Sequence, residues 1–381
     1  MPVRVSFVID NLGRAGTESQ LLALIRALDR TRIEPSLVLL DGESDDSRRL
    51  EPTDCPVLRL GVKKLFGASA LVAAKRLRSF WKTIRPDIAQ IYFLDSAYFG
   101  VPVAKLAGVR TVVRVRNNLS YWLTRKHRVL NRVIRPFVDA TLTNSDAGRD
   151  ALIAHDGLPS GRITVIENGV DVERFAIPGH IPFSGSTLRV GCVANLRPVK
   201  NIDGLMLVAA RFPELHFDVA GDGEQRGDLE KLLVELNLGH RFRLLGSVAD
   251  IPDFLAGLDI AVLPSHSEGM SNALLEFMAA GRPIVATDVG AGAKLLEGGR
   301  CGILAATSVT DDLENALRRL LANPEAARAM GQAARAHAAQ LYNRNAMGLR
   351  FEEFYLRLTG VSSDCSSCQP LGEVPSGRSS V

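Results

Sequence analysis

Ser265–Pro283 reads SHSEGMSNALLEFMAAGRP, and the order of residue types in it decides the fold. The apolar run Asp259–Leu263 precedes it and stops at Pro264, which predicts a buried strand running into a loop. Ser271 is a good helix N-cap and Gly281 a good C′ residue, so a helix is expected over Ser271–Ala280. The first-turn N–H groups, near Asn272, Ala273 and Leu274, have no intrahelical acceptor. With the positive end of the helix dipole they suit a phosphate. Gly269 lets a ligand approach the backbone closely. The helix is apolar nearly all round, as a buried helix is, yet it carries Glu276. A buried carboxylate needs partners. Glu276 lies roughly 7 Å along the axis from Ser271. If a phosphate caps the helix, that carboxylate can meet ribose hydroxyls, while Glu268 faces whatever hangs from the other phosphate. The alternative is an ion pair between Glu276 and a core arginine.

The strand-then-helix alternation extends in both directions. Strands are expected at Val3–Ile9, Leu37–Leu40, Ile88–Phe93, Thr111–Val115, Ala140–Thr143 and Ile163–Ile166, with helices such as Thr17–Leu28 between them. Pro178, Gly179, Pro182 and Gly185 interrupt the pattern and mark 177–187 as a linker. Alternation then resumes, with strands at Leu188–Ala194, His216–Ala220, Phe242–Leu245, Ile260–Leu263 and Pro283–Ala286. Asn323–Leu358 is expected to be mostly helix. The pattern predicts an α/β protein of two Rossmann-like, doubly wound parallel-sheet domains, 1–176 and 188–342. A helix over 343–360 returns to the first domain, and 361–381 forms a disordered tail. Such sheets bind ligands at their carboxyl edges, here across a cleft.

The 381-residue length suits two domains, and 46% hydrophobic with 23% charged residues is a globular composition. No apolar run nears the roughly 18 residues of a membrane helix, and Met1–Asp10 does not read as a signal peptide, so a cytoplasmic location is expected. The scattered cysteines fit a reducing compartment; Cys365 and Cys368 form a C-x-x-C without a second pair, and no metal or redox role is expected there. Residues 1–180 carry 27 Lys and Arg against 19 Asp and Glu, whereas the remainder carries 19 against 23. From Ser96 to Val138 there is no acid and nine Lys or Arg. In that block Arg114, Arg116, Arg125, Lys126, Arg128, Arg132 and Arg135 alternate with Leu119, Tyr121, Trp122, Leu123, Val129 and Ile134. Two readings are open: a basic amphipathic surface for an anionic membrane or a polyprenyl-diphosphate acceptor, or a solvated helix face.

The loop Ile9–Glu18, IDNLGRAGTE, follows the first strand and opens a helix. Thr17 is expected to cap that helix, with Gln20 completing a capping box. Gly13 and Gly16 place free amides at the cleft, or form a tight turn and nothing more. The G-x-G-x-x-G of dinucleotide enzymes is absent from it.

Glu268-Gly-Met-Ser-Asn-Ala-Leu-Leu-Glu276 resembles the signature of glycosyltransferase family 4, also called glycosyl transferases group 1, retaining enzymes of GT-B fold. Asn168-Gly-Val-Asp171, Val193–Asn201 (VANLRPVKN), Ala220-Gly-Asp-Gly223, Leu245-Gly246 and Ala286–Gly290 agree with it in order and spacing, so the resemblance spans Val3 to Leu358. It implies that Glu276 holds the donor ribose, that Glu268 contacts the donor sugar, and that the amides of Gly269, Met270 and Ser271 line sugar and phosphates. Lys200 and Arg197 would then neutralise the diphosphate, with Asn195 and Asn272 beside them, although a lone lysine is more often simply solvated. Gly16 would stand for one of the family's paired glycines. No Asp-x-Asp metal motif stands out, so neither metal nor other cofactor is expected. The family's histidine after the Thr111–Val115 strand is missing; Arg116 and Asn117 occupy that neighbourhood as acceptor-side candidates, and no catalytic base is assigned. The clamp arginine's usual position is Asn195, and Lys294 stands where the family often has an acid. The implied activity is transfer of a hexose or N-acetylhexosamine from a nucleoside diphosphate, UDP before GDP, to a glycan or lipid-linked acceptor. The acidic second half opposes nucleic acid as a partner. The rivals are an NAD-dependent oxidoreductase or epimerase and a non-catalytic nucleotide-binding module.

Overall fold

The computed structural model describes residues 1–13, 16–41, 44–62, 65, 67–117, 123–176, 181–185 and 187–361. Part of the expected linker, all but Val361 of the expected tail, and Leu119, Tyr121 and Trp122 of the basic block lie outside those residues.

Seven parallel strands build the first sheet: β1 (Val3–Ile9), β2 (Ile33–Leu39), β3 (Val57–Arg59), β4 (Ile88–Ile91), β5 (Thr111–Val115), β6 (Ala140–Thr143) and β7 (Ile163–Val165). Their order is β3-β2-β1-β4-β5-β6-β7. The second sheet holds β8 (Leu188–Val193), β9 (Leu215–Ala220), β10 (Phe242–Gly246), β11 (Ile260–Leu263), β12 (Ile284–Thr287) and β13 (Ile303–Ala305), in the order β10-β9-β8-β11-β12-β13. Helices cover both faces, so β4, β5, β6, β11 and β12 are buried at every position. This is why those strands read as continuous apolar runs rather than alternating ones.

β3 and β13, each three residues long at a sheet edge, escape the sequence reading, whereas the equally short edge strand β7 is marked by the run Ile163–Ile166. β2 begins at Ile33, earlier than the apolar run suggests, since Glu34 and Pro35 interrupt the pattern. Pro35 pairs with Val5 of β1, but β3 reaches only Leu37–Leu39, so its missing N–H falls where β2 has one neighbour.

The long C-terminal helical stretch breaks in two, Pro324–Leu341 and Arg344–Thr359. Asn343 caps the second helix by accepting from the Ala346 N–H at 2.8 Å. At the break the Val170 N–H donates to the Tyr342 carbonyl at 2.7 Å, and Arg344 N–H donates to Val170 at 3.2 Å. The chain thereby crosses back to the first domain. Met347, Phe354, Tyr355 and Leu356 are buried in that domain's core, each apolar side chain contributing about 1.5–3 kcal/mol. Tyr355 O–H donates to Gln90 Oε1 at 2.9 Å, which ties this helix to β4.

In each sheet the strand order reverses once, between β1 and β4 and between β8 and β11. Ligands of open α/β sheets bind outside the carboxyl ends of the strands at such a reversal. Both reversals open on the gap between the domains.

Candidate active site in the interdomain cleft

On the second domain, β8 and β11 deliver two loops that lock together. After β8, Pro198–Lys200 makes a short 3-10 turn and Asn201 adopts φ 55°. Asn201 is buried, and its Nδ2 donates to the Pro264 and Ser308 carbonyls at 3.0 and 2.9 Å. His266 N–H donates to the Val199 carbonyl at 2.8 Å. Lys200 Nζ is thereby brought to Glu268 Oε1 at 2.6 Å, where Ser265 Oγ also donates at 2.8 Å. Glu268 Oε2 has no hydrogen bond among the described residues. Asn195 and Arg197 stand exposed on the same rim.

The helix spans Asn272–Ala279, with Ser271 as N-cap and Gly281 at φ 65° just past its end. Leu274 N–H is taken by Ser271 Oγ at 3.4 Å, so only the earlier amides of the turn are open, which corrects the expectation for Leu274. Gly290, at φ 61°, backs the loop: a Cβ there would collide with the carbonyls of Glu268 and Gly269.

Glu276 is half-buried, and its carboxylate makes no hydrogen bond or ion pair among the described residues. It lies one turn beyond Asn272, so both occupy one helix face, and Asn272 faces the first domain. The charges it senses are Arg174 and Arg344, both near the interdomain crossing. Arg344 instead pairs with Asp171 at 2.9 Å, so the core ion pair weighed from the sequence is not formed. Burial pushes the Glu276 carboxyl up to about 7.

The two domains touch at the start of this helix. Asn272 Nδ2 donates to the Gly16 carbonyl at 3.0 Å, and its Oδ1 accepts from Gln20 Nε2 at 3.0 Å and Asn168 Nδ2 at 2.8 Å. The Asn272 side chain is therefore spent on the first domain, which leaves only its backbone N–H for a donor. Gln20 accepts from Gly169 N–H and donates to Gly169 O, so it forms no capping box; the first helix begins at Gly16, not after Thr17. A Cβ on Gly16 would stand 2.8 Å from Asn272 Nδ2, and one on Gly269 would stand 2.5 Å from the Asn117 carbonyl. Both glycines are needed for close approach of the domains. Lys294 adds ion pairs to Glu167 at 2.7 Å and Asp146 at 3.3 Å across the gap.

On the first domain a cavity of about 400 Å³ opens beside the β1/β4 reversal, lined by Asp10, Thr17, Tyr92, Asn117 and His127 among others. Asp10 accepts from the Ser96 N–H at 2.9 Å and from Ser96 Oγ at 2.5 Å, and burial raises its carboxyl above the ordinary range. Glu18 is buried near Arg197 and is raised for the same reason. Phe93, two residues past β4, holds φ 53°, a strained value for an aromatic residue of the kind found at functional sites. Glu18 closes the loop quoted from the sequence, though no role was assigned to it; Asp10, Phe93 and His127 were not singled out, and the places of Asp10 and Phe93 just after strands could have flagged them. Gly13 lies half-exposed in the loop after β1. Arg116 corrects its expectation in part: it borders the cavity, but its guanidinium turns away to Asp156 at 2.8 Å. Among the described residues no three His, Cys, Asp or Glu side chains converge as a metal site would need, and no helix is long and apolar enough to cross a membrane.

Two family models match the chain, Glycosyltransferase Family 4 over residues 14–174 and Glycosyl transferases group 1 over 176–337. An Escherichia coli UDP-Gal:alpha-D-GlcNAc-diphosphoundecaprenol alpha-1,3-galactosyltransferase is 28% identical over 271 residues, 65% of this chain and 70% of that one. A Streptomyces kanamyceticus alpha-D-kanosaminyltransferase is 33% identical over 171 residues, 44% of each chain. The crystal structure of Anabaena HepE in complex with UDP-glucose superposes with a TM-score of 0.78 at 21% identity, covering 92% of this chain and 98% of that one. Two parallel-sheet domains that face each other across their strand reversals, with these matches, define a glycosyltransferase of GT-B fold. The chain belongs to glycosyltransferase family 4, the group 1 glycosyl transferases, as its 268–276 segment suggests.

Proposed function

We propose that this enzyme moves a hexose or N-acetylhexosamine from a nucleoside-diphosphate sugar, UDP before GDP, with retention and without a metal. The acceptor is a glycan or lipid-linked saccharide of cell-surface polysaccharide synthesis, met by a cytoplasmic protein at the inner face of the membrane. Nucleic acid has no part in it. One observation carries the donor reading: Glu276 is a half-buried carboxylate without a partner, on the cleft-facing side of a helix whose first amides are open. A diphosphate at that helix start puts the ribose hydroxyls within reach of the Glu276 carboxylate. The crystallised complex of HepE with UDP-glucose and the diphosphoundecaprenol named for the E. coli relative agree with this choice of donor and acceptor classes.

Cleavage of the sugar–phosphate bond builds negative charge on the leaving diphosphate. Fixed cations and amides aimed at that charge lower the barrier. Lys200, Arg197 and the amides of Gly269, Met270 and Ser271 fill this role. Lys200 is already oriented by Glu268, and Glu268 Oε2 remains to meet a sugar hydroxyl. Asn272 acts at one remove, by fixing the helix start against Gly16.

The test is a panel of UDP- and GDP-sugars with EDTA present, scoring binding and nucleotide release. Transfer from a UDP-sugar in EDTA, with donor binding lost in Glu276→Ala, is the expected result. Unchanged affinity in that variant rejects the ribose role, and transfer that needs added metal rejects the electrostatics.

A further inference from the structure

A second cavity, of about 90 Å³, lies in the first domain, walled by β5, β6, the Arg125–Ile134 helix and the Asp146–Asp156 helix. It is several times the ~15 Å³ a single water requires. Six arginines line it: Arg114, Arg116, Arg128, Arg132, Arg135 and Arg162. Only two carboxylates share the wall, Asp139 and Asp156. Asp139 is occupied by Lys105 at 2.8 Å and the Val112 N–H at 2.7 Å. Asp156 pairs with Arg116. Among the described residues Arg114, Arg128, Arg132, Arg135 and Arg162 have no acidic partner. Arg135 and Arg128 donate to carbonyls only.

The deepest member is the informative one. Arg114 is 5% exposed, and its one hydrogen bond goes to Asn131 Oδ1 at 2.8 Å. Arg114 Nε and Asn131 Nδ2 are buried donors without acceptors. A buried guanidinium normally has a carboxylate against it, because an unpaired charge in a dry site is costly. Here it is bonded only to an amide that has donors to spare; Arg116 repels it, and Asp156 and Tyr98 act on it without bonding to it, since Asp156 pairs with Arg116 and Tyr98 bonds Asn131. Burial and Arg116 pull the Arg114 pKa down to about 9. Asp156 Oδ2, beside Arg116, is a buried oxygen on this wall without a hydrogen bond, and one carboxylate cannot serve the other five arginines; the remaining positive charge calls for an anion with several oxygens. Guanidinium forks match phosphate oxygens in geometry as well as charge. Arg116 borders this cavity and also the acceptor-side cavity at the β1/β4 reversal.

We infer that the arginine-lined cavity is a phosphate site that holds the phosphate or diphosphate ester carried by the acceptor. The inference rests on the proposed transfer reaction for its acceptor, but the anion site stands on its own geometry. It gives the acid-free block of the sequence a task distinct from that of a solvated face.

The test uses the full chain saturated with UDP, so that the donor site cannot take the probe, and titrates inorganic pyrophosphate by calorimetry. Arg132 and Arg162 are exposed and can be changed without disturbing the core. The double variant Arg132→Ala with Arg162→Ala should lose about tenfold or more in pyrophosphate affinity while its UDP affinity stays unchanged. Absence of pyrophosphate binding to the UDP-saturated protein, or equal binding by the double variant, overturns the inference. Failure to bind UDP at all instead counts against the donor reading and leaves the pyrophosphate titration to be read without it. Flotation with phosphatidylcholine vesicles, with and without phosphatidic acid, separates the sources. Flotation that needs phosphatidic acid and is competed by pyrophosphate assigns the ester to a lipid. No flotation, with pyrophosphate still bound, assigns it to a soluble phosphorylated glycan. Flotation that pyrophosphate does not compete and the double variant retains overturns the site.

Discussion

Replacing Glu276 by glutamine should make the ligand-free enzyme more stable while it disables donor binding. The carboxyl titrates near 7 in the folded chain against an ordinary value of 4.5. A raised carboxyl binds its proton more tightly when folded, so its contribution is fully favourable below pH 4.5 and is lost as pH rises through 7. The difference of two and a half pK units is worth about 3 kcal/mol once both states are ionised. Glutamine keeps the shape and carries no charge, so it avoids that cost. Urea unfolding of both proteins at pH 5 and pH 8 measures the effect. The gain of Glu276→Gln over the native chain should be small at pH 5 and larger by about 2–3 kcal/mol at pH 8. The same variant should bind UDP-sugar at least about tenfold more weakly at pH 8. A stability difference that does not change with pH, or a variant less stable at pH 8, would refute the half-buried, unpaired state of the Glu276 carboxyl.

Three further outcomes follow from the same geometry. UDP-glucose affinity should fall about tenfold per pH unit below 7 and level off above it, because ribose hydroxyls need the ionised carboxylate; calorimetry in two buffers should find one proton released on binding near pH 6. Lys200→Ala should lower kcat by about a hundredfold or more through loss of charge on the leaving diphosphate. Its unfolding midpoint should stay near that of the native chain, and a grossly unfolded protein would make Lys200 structural instead. Asn272→Ala removes three hydrogen bonds between the domains; small-angle scattering should find the empty enzyme more open, and an unchanged radius of gyration would mean the domains are held elsewhere, as by Lys294.

The parts of this account that depend on neighbours in sequence were legible before the structure. Ser271, Gly281 and the apolar run between them are local signals, and they set the helix to within one residue at each end. Glu276 stood out because a single acid on an apolar helix is a local anomaly. What depends on distant contacts was not legible. Gln20 has the spacing of a capping-box residue, yet a better partner, Gly169, arrives from 149 positions away. Asn272 looked like a ligand because it begins the helix, and nothing nearby in the chain announces Gly16 and Asn168. Arg116 follows a strand that ends at the cleft, but its guanidinium is held by Asp156, forty positions on. The acid-free stretch revealed an excess of positive charge; that the excess converges on one cavity depends on how β5, β6 and two helices pack.

The most direct measurement compares UDP with 2′,3′-dideoxy-UDP on the native enzyme and on Glu276→Ala. If the carboxylate grips the ribose, deoxygenation costs the native protein about 2 kcal/mol or more, some thirtyfold in affinity, and costs the alanine variant almost nothing. Equal losses in the two proteins would mean that another group holds the pentose and that the partnerless carboxylate in the cleft serves some other end.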